Sequence, residues 1–279
     1  MSLRITSLNS GSNGNCYYIG NEREAVLVDA GISCREIEQR MANLDLSMEL
    51  VKGLFISHEH IDHIRGIGVL AKKYQLPVYI THPTLKHSRI RLEGKLLRSF
   101  KSHEPVIIGD LAVTPFAKHH DATDPYSFVV ESKGTRVGVI TDIGIACEWV
   151  IHYFRQCHAC FLESNYDEKM LEEGTYPLRL KNRIRGGKGH LSNTQALELF
   201  LNHRPAFMSH LLLSHLSKNN NHPDLVHDLF TKHAGSTRVI IASRHRETAL
   251  YTIEKTGDEV SELIRPRLKR ELIQLSMFD

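Results

Sequence analysis

The sequence predicts a single α/β domain in which β-sheets are layered against helices. Three observations indicate this class. Short apolar runs typical of strands alternate with segments of helical spacing, 41% of the 279 residues are hydrophobic, and no Pro/Ser-rich linker divides the chain. A chain of this length and composition can bury a substantial core.

The N-terminal part is rich in predicted strands. Residues 3–8 and 16–19 are apolar runs separated by a turn rich in Gly and Asn, which is the pattern of a β-hairpin. A third strand is predicted over Ala25–Val28, and Cys34–Ala42 has helical spacing. The third strand places a carboxylate, Asp29, directly at its end.

The same alternation continues through the rest of the chain. A strand over residues 53–57 precedes a predicted helix over residues 64–74, which ends before Pro77. The further predicted strands are 78–80, 111–116, 128–131, 137–141, 159–162, 207–213 and 239–242. The further predicted helices are 193–202 and 225–233. We expect residues 1–260 to form one domain and residues 261–279 to form a charged C-terminal tail.

Composition disfavours secreted and membrane classes. The first residues lack a basic segment followed by an apolar one, and no run approaches the roughly 18 to 20 apolar residues of a membrane helix. Five scattered cysteines then indicate reduced thiols and a cytoplasmic protein. Cys157 and Cys160 are interpreted as core residues, because a single C-x-x-C is a poor zinc site.

Three histidines and an aspartate lie within six residues directly after the strand predicted over 53–57. They are His58, His60, Asp62 and His63. Imidazole and carboxylate are ligands of zinc, manganese and iron, and the spacing predicts two pairs of ligands for two adjacent metals. The zinc-protease motif H-E-x-x-H does not apply, because position 62 is Asp. A loop of solvated histidines is the alternative interpretation.

Further candidate ligands come shortly after other predicted strands. They are the pair His119 and His120, then Asp142, and finally His215. Functional groups are commonly mounted in loops at the ends of rigid strands. A two-metal hydrolase needs more ligands than the histidine run provides, and these residues can complete the set.

The ordered motifs resemble those of the metallo-β-lactamase superfamily. They are VDAG, SHEHIDH, HHDA, TDIG and LLLSHLS, which contain Asp29, the histidine run, His120, Asp142 and His215. Within the superfamily, SGSNGNC, LESNYD, GHLSN and LSHLSKNN are most similar to the YycJ/WalJ-like group of bacterial exonuclease-like phosphodiesterases. The resemblance implies a four-layer αββα sandwich with its site along one edge of the two sheets.

The resemblance also implies a ligand set. One metal would be held by His58, His60 and His120, the other by Asp62, His63 and His215, and both by Asp142. The match to H-D-A selects His120 over His119. Asp29 would support the site without binding metal; alternatively, it is only a turn carboxylate. Zinc is the expected metal, with manganese or iron as alternatives, and a bridging hydroxide would attack the phosphodiester with Asp62 among the catalytic residues.

Two motifs resemble those of the tRNA-processing branch of the superfamily and favour a phosphodiester substrate. They are FLESN, which contains Glu163, and GHLSN, which contains His190. Glu163 would orient His190, which would donate a proton to the leaving oxygen or stabilise the phosphate charge. Alternatively, His190 only precedes the cap of the following helix.

Basic residues interleaved with glycines lie between those two motifs. They are Arg179, Lys181, Arg183, Arg185 and Lys188. A flexible cationic loop beside a metal centre suits a nucleic-acid backbone, since charge neutralisation supplies much of the affinity. The alternative is a solvated surface. A second basic stretch lies within residues 86–101.

The C-terminal pentapeptide QLSMF is similar to the short motif by which bacterial polymerases and repair proteins bind the sliding clamp. Gln274, Leu275, Met277 and Phe278 would contact the clamp as anchors of a free tail. The alternative is a terminal segment that packs on its own domain.

Together these features predict a cytoplasmic two-metal phosphodiesterase, acting as a DNA exonuclease from 5′ ends in replication-linked repair. One alternative is a small-molecule phosphodiesterase or a thioester or lactone hydrolase. A second alternative is a clamp-binding protein whose metal site is structural or redox-active.

Overall fold

The apolar runs of the sequence form two seven-stranded sheets in the computed structural model, which describes residues 2–255. The first sheet has the spatial order β14 (Tyr251–Ile253), β1 (Leu3–Asn9), β2 (Cys16–Gly20), β3 (Ala25–Val28), β4 (Val51–Phe55), β5 (Val78–Tyr79) and β6 (Leu97–Arg98). The second has the order β13 (Arg238–Ile241), β12 (His210–Ser214), β11 (Ala159–Glu163), β10 (Thr135–Ile140), β9 (Tyr126–Ser132), β8 (Leu111–Ala117) and β7 (Val106–Ile108).

Each sheet combines an antiparallel half with a parallel half. In the first sheet β1 pairs antiparallel with β2, as the hairpin pattern predicts, whereas β3, β4, β5 and β6 are parallel. In the second sheet β10, β11, β12 and β13 are parallel. The carboxyl ends of parallel strands meet at one edge of a sheet, which is where ligands commonly bind in α/β proteins.

Helices connect the strands. They are α1 (Cys34–Ala42), α2 (Ile61–Ile64), α3 (Ile67–Tyr74), α4 (His82–Ser88), α5 (Glu148–Phe154), α6 (Glu168–Glu173), α7 (Leu178–Ile184), α8 (Asn193–His203) and α9 (Pro223–Thr231). Short 3-10 helices lie at Met48–Leu50 and Gly94–Leu96. None of the helices within residues 2–255 has the length and apolar character needed to cross a bilayer.

Three apolar layers hold the elements together. The central layer lies between the sheets and includes Val26 and Phe55 from one sheet and Phe128 and Phe161 from the other. A second layer packs the first sheet against α1 and α3, and a third packs the second sheet against α5, α8 and α9. The order of layers is therefore helix, sheet, sheet, helix, which confirms the predicted αββα sandwich.

The helix predicted over residues 64–74 begins three residues later as α3, and Gly66 separates it from the short helix α2. The N–H of Gly66 donates to the carbonyl of Ala30 at 2.7 Å, and a Cβ at Gly66 would lie 2.1 Å from the carbonyl oxygen of Ile32. This close approach excludes any side chain at position 66. It also fixes the short helix α2 against the segment that follows β3.

Strand β12 differs from its predicted range at its start, whereas helix α8 begins at the predicted residue. The strand predicted over 207–213 begins at His210, because Pro205 starts a turn in which the N–H of Met208 donates to its carbonyl at 3.1 Å. Helix α8 begins where predicted. Its capping box pairs Ser192 with Gln195, as each side chain accepts a hydrogen bond from the backbone N–H of the other residue.

Candidate metal centre

The candidate ligands and their supports lie where strands of the two sheets end. Asp29 follows β3, the histidine run follows β4, Asp142 follows β10 and His215 follows β12. Three of these residues have left-handed backbones, with φ of 61° at Asp29, 55° at Asp142 and 57° at His215. Such conformations are costly for residues other than glycine and are concentrated at functional sites.

One group of ring nitrogens can form a three-histidine site. The Nε2 atom of His58 lies 3.1 Å from Nδ1 of His60, and Nε2 of His120 lies 3.3 Å from the same Nδ1. His58 and His120 are buried, whereas the neighbouring His119 is exposed. The structure thus brings His120 into the cluster and leaves His119 outside it.

A second group combines a carboxylate with two imidazoles. Oδ2 of Asp62 lies 3.5 Å from Nε2 of His63 and 3.5 Å from Nε2 of His215. Asp62 and His63 lie on the short helix α2, and His215 comes from the opposite sheet. Three nitrogen and oxygen donors at these distances suit a small divalent cation.

Asp142 lies between the two groups. Its carboxylate is 3.4 Å from Nε2 of His63, 3.4 Å from Nε2 of His215 and 3.9 Å from Nε2 of His120. The Oδ2 atom is buried and accepts no hydrogen bond. A buried carboxylate oxygen without a donor is costly, and a cation beside it would remove that cost. The residues present therefore fit a pair of metal ions.

Outer contacts fix the rings of the three-histidine group. The Nδ1 atom of His58 lies 2.8 Å from Oγ of Ser57, and Nδ1 of His120 lies 3.0 Å from the carbonyl oxygen of Gly189. Each contact leaves Nε2 directed at the cluster. Ligand histidines typically have such a partner on their second nitrogen, which sets the tautomer.

Buried carboxylates perform the same task in the second group. Oδ2 of Asp29 lies 2.7 Å from Nδ1 of His63, and Oε1 of Glu163 lies 3.1 Å from Nδ1 of His215. The Asp29 carboxylate also accepts from the N–H and the Oγ–H of Ser57, both at 2.8 Å. Asp29 is therefore more than a turn residue, because it links the end of β3 to a candidate ligand.

Burial sets the charge state of several ligands. Burial lowers the pKa of His58 and lowers that of His120 to about 4, so both rings are neutral, the form that binds metal. Burial alone would raise the pKa of Asp142, but the imidazoles of His215 and His63 hold it well below its usual range. The three-histidine group thus offers neutral imidazoles. In the second group burial would lower the pKa of His63 and His215, but Asp142 and the neighbouring carboxylates raise both, that of His215 to about 10.

Glu163 and His190 form a pair beside the ligands. The Nδ1 atom of His190 lies 2.8 Å from Oε1 of Glu163, and the other oxygen, Oε2, accepts the N–H groups of Ile143 at 2.8 Å and Leu191 at 3.1 Å. Burial would raise the pKa of Glu163, but His190 and His215 lower it to about 2. Glu163 is therefore an ionised carboxylate held by donors on every side.

The basic segment is not the flexible loop that its glycines suggested. Arg179, Lys181 and Arg183 lie on helix α7, and only Arg185 and Lys188 follow it. Lys181 donates to the carbonyl of Glu172, and the Arg185 guanidinium lies 3.0 Å from the Glu172 carboxylate. Neither Arg179 nor Lys188 forms an ion pair within residues 2–255.

The basic segment does lie beside the three-histidine group. Arg183 forms an ion pair with Asp121, whose Oδ1 atom is 3.4 Å from Nε2 of His120. The contact between Gly189 and His120 connects the other end of the segment to the same ligand. Cationic side chains are therefore mounted next to one half of the centre.

Several supporting residues were not identified from the sequence. The Lys118 ammonium is buried and donates to the carbonyl of Thr141 at 2.7 Å, which ties the end of β8 to the residue before Asp142. The Asn15 amide lies 3.2 Å from Oδ2 of Asp62 and 3.1 Å from Nε2 of His63. Asn15 belongs to the SGSNGNC string, so that string was the available signal.

The clamp-like motif lies outside the described residues. Gln274, Leu275, Met277 and Phe278 fall beyond residue 255, as do the boundary expected at residue 260 and the tail over 261–279. These expectations stay predictions.

The five cysteines lie within the described part and are free thiols. Cys157 and Cys160 are buried in the layer beneath the second sheet, as interpreted.

Comparison with known proteins identifies a family and named relatives. The β-lactamase superfamily domain matches residues 24–215. An exodeoxyribonuclease YycJ of Bacillus anthracis is 34% identical over 230 residues, which cover 81% of this chain and 86% of that protein. An exodeoxyribonuclease WalJ of Streptococcus pneumoniae is 32% identical over 232 residues, with the same coverage of 81% and 86%.

Solved structures share the fold at low sequence identity. The metallo-β-lactamase fold protein YhfI of Bacillus subtilis has a TM-score of 0.69 at 18% identity, and the match covers 90% of this chain and 100% of that one. An identity this low shows the common fold alone.

Proposed function

Because the chain belongs to the metallo-β-lactamase superfamily and is a metal-dependent hydrolase, we propose that it is a two-metal phosphodiesterase that degrades DNA from an end. The observation that carries the proposal is the Glu163–His190 pair next to the ligand cluster, with 2.8 Å between Oε1 and Nδ1. The exodeoxyribonuclease relatives of Bacillus anthracis and Streptococcus pneumoniae support DNA as the substrate.

The metal-binding residues follow from the donor groups. The first ion would be held by His58, His60 and His120, the second by Asp62, His63 and His215, and Asp142 would contact both. Bound divalent ions supply Lewis acidity and an activated water at neutral pH. We expect zinc, and manganese or iron also suit a site built from imidazole and carboxylate.

We propose that the Asp62 carboxylate both binds metal and orients the attacking water. Its Oδ2 atom accepts a hydrogen bond from the Asn15 amide at 3.2 Å and faces His63 and His215. A carboxylate fixed in this way can orient a proton of an attacking water while it contributes to the second group of ligands. Asp62 is the proposed residue for that task.

His190 is the proposed proton donor to the leaving oxygen. Its Nδ1–H donates to ionised Glu163, so Nε2 is the nitrogen left to contact a substrate. The side chain retains 18% of its exposure, whereas Glu163 is fully buried. A substrate phosphate can therefore reach the imidazole, and the buried carboxylate fixes the orientation of the ring.

The substrate backbone would be bound beside the three-histidine group. Arg179, Lys181, Arg183, Arg185 and Lys188 are the proposed contacts on and after α7. Arg179 and Lys188 are the strongest candidates for these contacts, because neither forms an ion pair with another residue in the described part of the chain. Backbone contacts of this kind give affinity without base specificity.

The test uses three substrates with one preparation of protein. Protein loaded with zinc or manganese should shorten single-stranded DNA labelled at either end, and a 5′ label should be released first if the enzyme begins at 5′ ends. Bis-p-nitrophenyl phosphate and a glutathione thioester serve as small substrates. Faster turnover of the thioester than of both phosphodiesters, or intact DNA after prolonged incubation, would contradict the proposal.

Variants at the ligands separate this enzyme from a contaminating nuclease. His60→Ala removes a donor of the first group, and Asp142→Asn removes the negative charge between both groups. Both variants should lose cutting of DNA and of the small phosphodiester. Glu131→Gln is the matched control, because its carboxylate pairs with Arg136 at 2.7 Å on β9 and β10, outside the ligand groups.

A partner and a cellular role complete the proposal. We propose that Gln274, Leu275, Met277 and Phe278 bind the bacterial sliding clamp, which would bring the enzyme to replication-linked repair. The similarity of QLSMF to clamp-binding peptides supports this step. The free thiols of all five cysteines support a cytoplasmic location.

A further inference from the structure

A cleft outside the ligand cluster lies between the segments that follow β12 and β13. It has a volume of about 910 Å³, and its lining includes Ser10, Leu216, Lys218, Arg244 and Arg246. We call it the 216–249 cleft. Strands β12 and β13 are parallel neighbours, so the cleft opens at their carboxyl ends, the edge where β12 leads to His215.

The cleft borders the second group of ligands. Ser10 lines it and accepts a hydrogen bond through Oγ from the N–H of His215 at 2.7 Å. Leu216, the next residue, also lines it, and the Arg244 guanidinium donates to the Leu216 carbonyl. The wall of the cleft and the candidate ligand His215 are therefore parts of one backbone segment.

Two cations of the cleft are free to bind an anion. Lys218 and Arg246 are exposed, and neither side chain forms an ion pair or a hydrogen bond with any residue in the described part of the chain. The lining also includes two acidic residues: Oε1 of Glu247 accepts from the neutral Asn43 amide at 3.0 Å, and exposed Asp224 lies 3.5 Å from the His222 ring.

Arg244 has a different task from the two free cations. Its guanidinium is half-buried against the Leu216 carbonyl, and its own carbonyl accepts from the Asn13 amide at 2.9 Å. These contacts fix the segment after β13 against the segment after β12. The positive charge remains inside the cleft, so Arg244 adds to its potential while it holds its shape.

We propose that the 216–249 cleft binds the phosphates of a single DNA strand, and that Lys218 and Arg246 contact them. This inference rests on the proposed nuclease function and extends it to a second contact region. The basic segment of α7 adjoins His120, whereas the cleft adjoins His215, so the ligand cluster lies between two cationic surfaces. A strand that touches both surfaces would cross the ligand cluster.

The size and chemistry of the cleft agree with this occupant. Ligand sites commonly have volumes of roughly 300 to 1,000 Å³, and the cleft is within that range. Lys and Arg neutralise backbone phosphates, and each contact with a single strand contributes about 0.7 to the slope of log affinity against log salt concentration. Loss of the two contacts should therefore reduce the slope by a measurable amount.

The test compares the salt dependence of DNA binding in two double variants. Lys218→Gln with Arg246→Gln should flatten the slope for a fluorescent single-stranded oligonucleotide by about 1.4, measured by anisotropy in EDTA. Arg23→Gln with Lys52→Gln is matched in charge and should keep the wild-type slope. Arg23 and Lys52 lie near the amino-terminal ends of β3 and β4, away from the ligand edge.

The outcomes separate this inference from the proposed function. An unchanged slope in the cleft variant, or an equal change in the control, overturns the inference, as does a wild-type protein that does not bind the oligonucleotide. Competition by 5′-dTMP at the affinity of the oligonucleotide would show a nucleotide site instead. Wild-type turnover of bis-p-nitrophenyl phosphate tests the phosphodiesterase function independently. Thermal unfolding of each variant confirms that it is folded.

Discussion

Replacing Glu163 with glutamine exchanges one oxygen of a buried carboxylate for an amide nitrogen without changing the volume. Oε2 accepts the N–H groups of Ile143 and Leu191, so the amide oxygen must occupy that position. The amide NH₂ group then replaces Oε1 and faces Nδ1 of both His190 and His215. A donor cannot pair with Nδ1–H, because two protons would point at each other.

The exchange therefore favours a change of tautomer at His215, since the Asn165 amide also lies 3.1 Å from its Nδ1 atom. Its Nδ1 atom must become an acceptor, which moves the ring proton to Nε2, the nitrogen that faces Asp62 and Asp142. A protonated Nε2 cannot bind a metal ion. Loss of an outer partner of this kind costs about 10- to 100-fold in metal affinity. That range corresponds to about 1.4 to 2.8 kcal/mol.

Titration of metal-free protein with zinc against a chromophoric chelator measures this effect. Glu163→Gln should weaken one of two binding steps by about 10- to 100-fold and leave the other near its wild-type value, because His58, His60 and His120 do not contact Glu163. Glu131→Gln should bind like wild type. Two unchanged binding steps in Glu163→Gln would refute the tautomer argument, as would equal weakening of both.

Three further predictions concern activity, stability and the tail. His190→Gln should lower the turnover of DNA by about 10²- to 10⁴-fold, the usual contribution of a positioned proton donor, with metal content unchanged by elemental analysis; a normal rate would exclude the role. Removing the metal from protein kept at a free metal concentration of about 1,000 times the Kd should cost about 4 kcal/mol of stability for each of the two ions, a fall in Tm of roughly 8 to 16 °C per ion by calorimetry, whereas an unchanged Tm would exclude tight binding to the folded state. Deletion of residues 274–279 should abolish pull-down of the sliding clamp while metal binding and basal hydrolysis persist; loss of folding would show instead that the tail belongs to the core.

Much of the fold was predictable because its strands are long apolar runs. Strands β1, β2, β3 and β10 and helices α1 and α8 occur close to the predicted positions, since their burial agrees with their periodicity. Strand β6 has only two residues, too few to show a period. Helix α7 carries four charged or polar residues among glycine-rich neighbours, so its composition suggested a loop.

The site was predictable in its ligands and less so in their supports. Histidine and carboxylate at strand ends indicate metal chemistry through their residue types alone. A supporting contact such as the Gly189 carbonyl on His120 has no such signal, because every residue has a carbonyl group. Lys118 was also missed, since a lysine before two histidines gives no sign that its ammonium is buried against Thr141.

The central claim is that two metal ions, held by the ligand groups around Asp142, enable the chain to cut DNA. The most direct test is a metal titration of the metal-free protein in which bound metal and digestion of labelled DNA are measured on the same samples. We predict that digestion is absent without metal and reaches its maximum at two equivalents per chain. Full digestion at one equivalent, or digestion that persists after complete removal of metal, would contradict the claim.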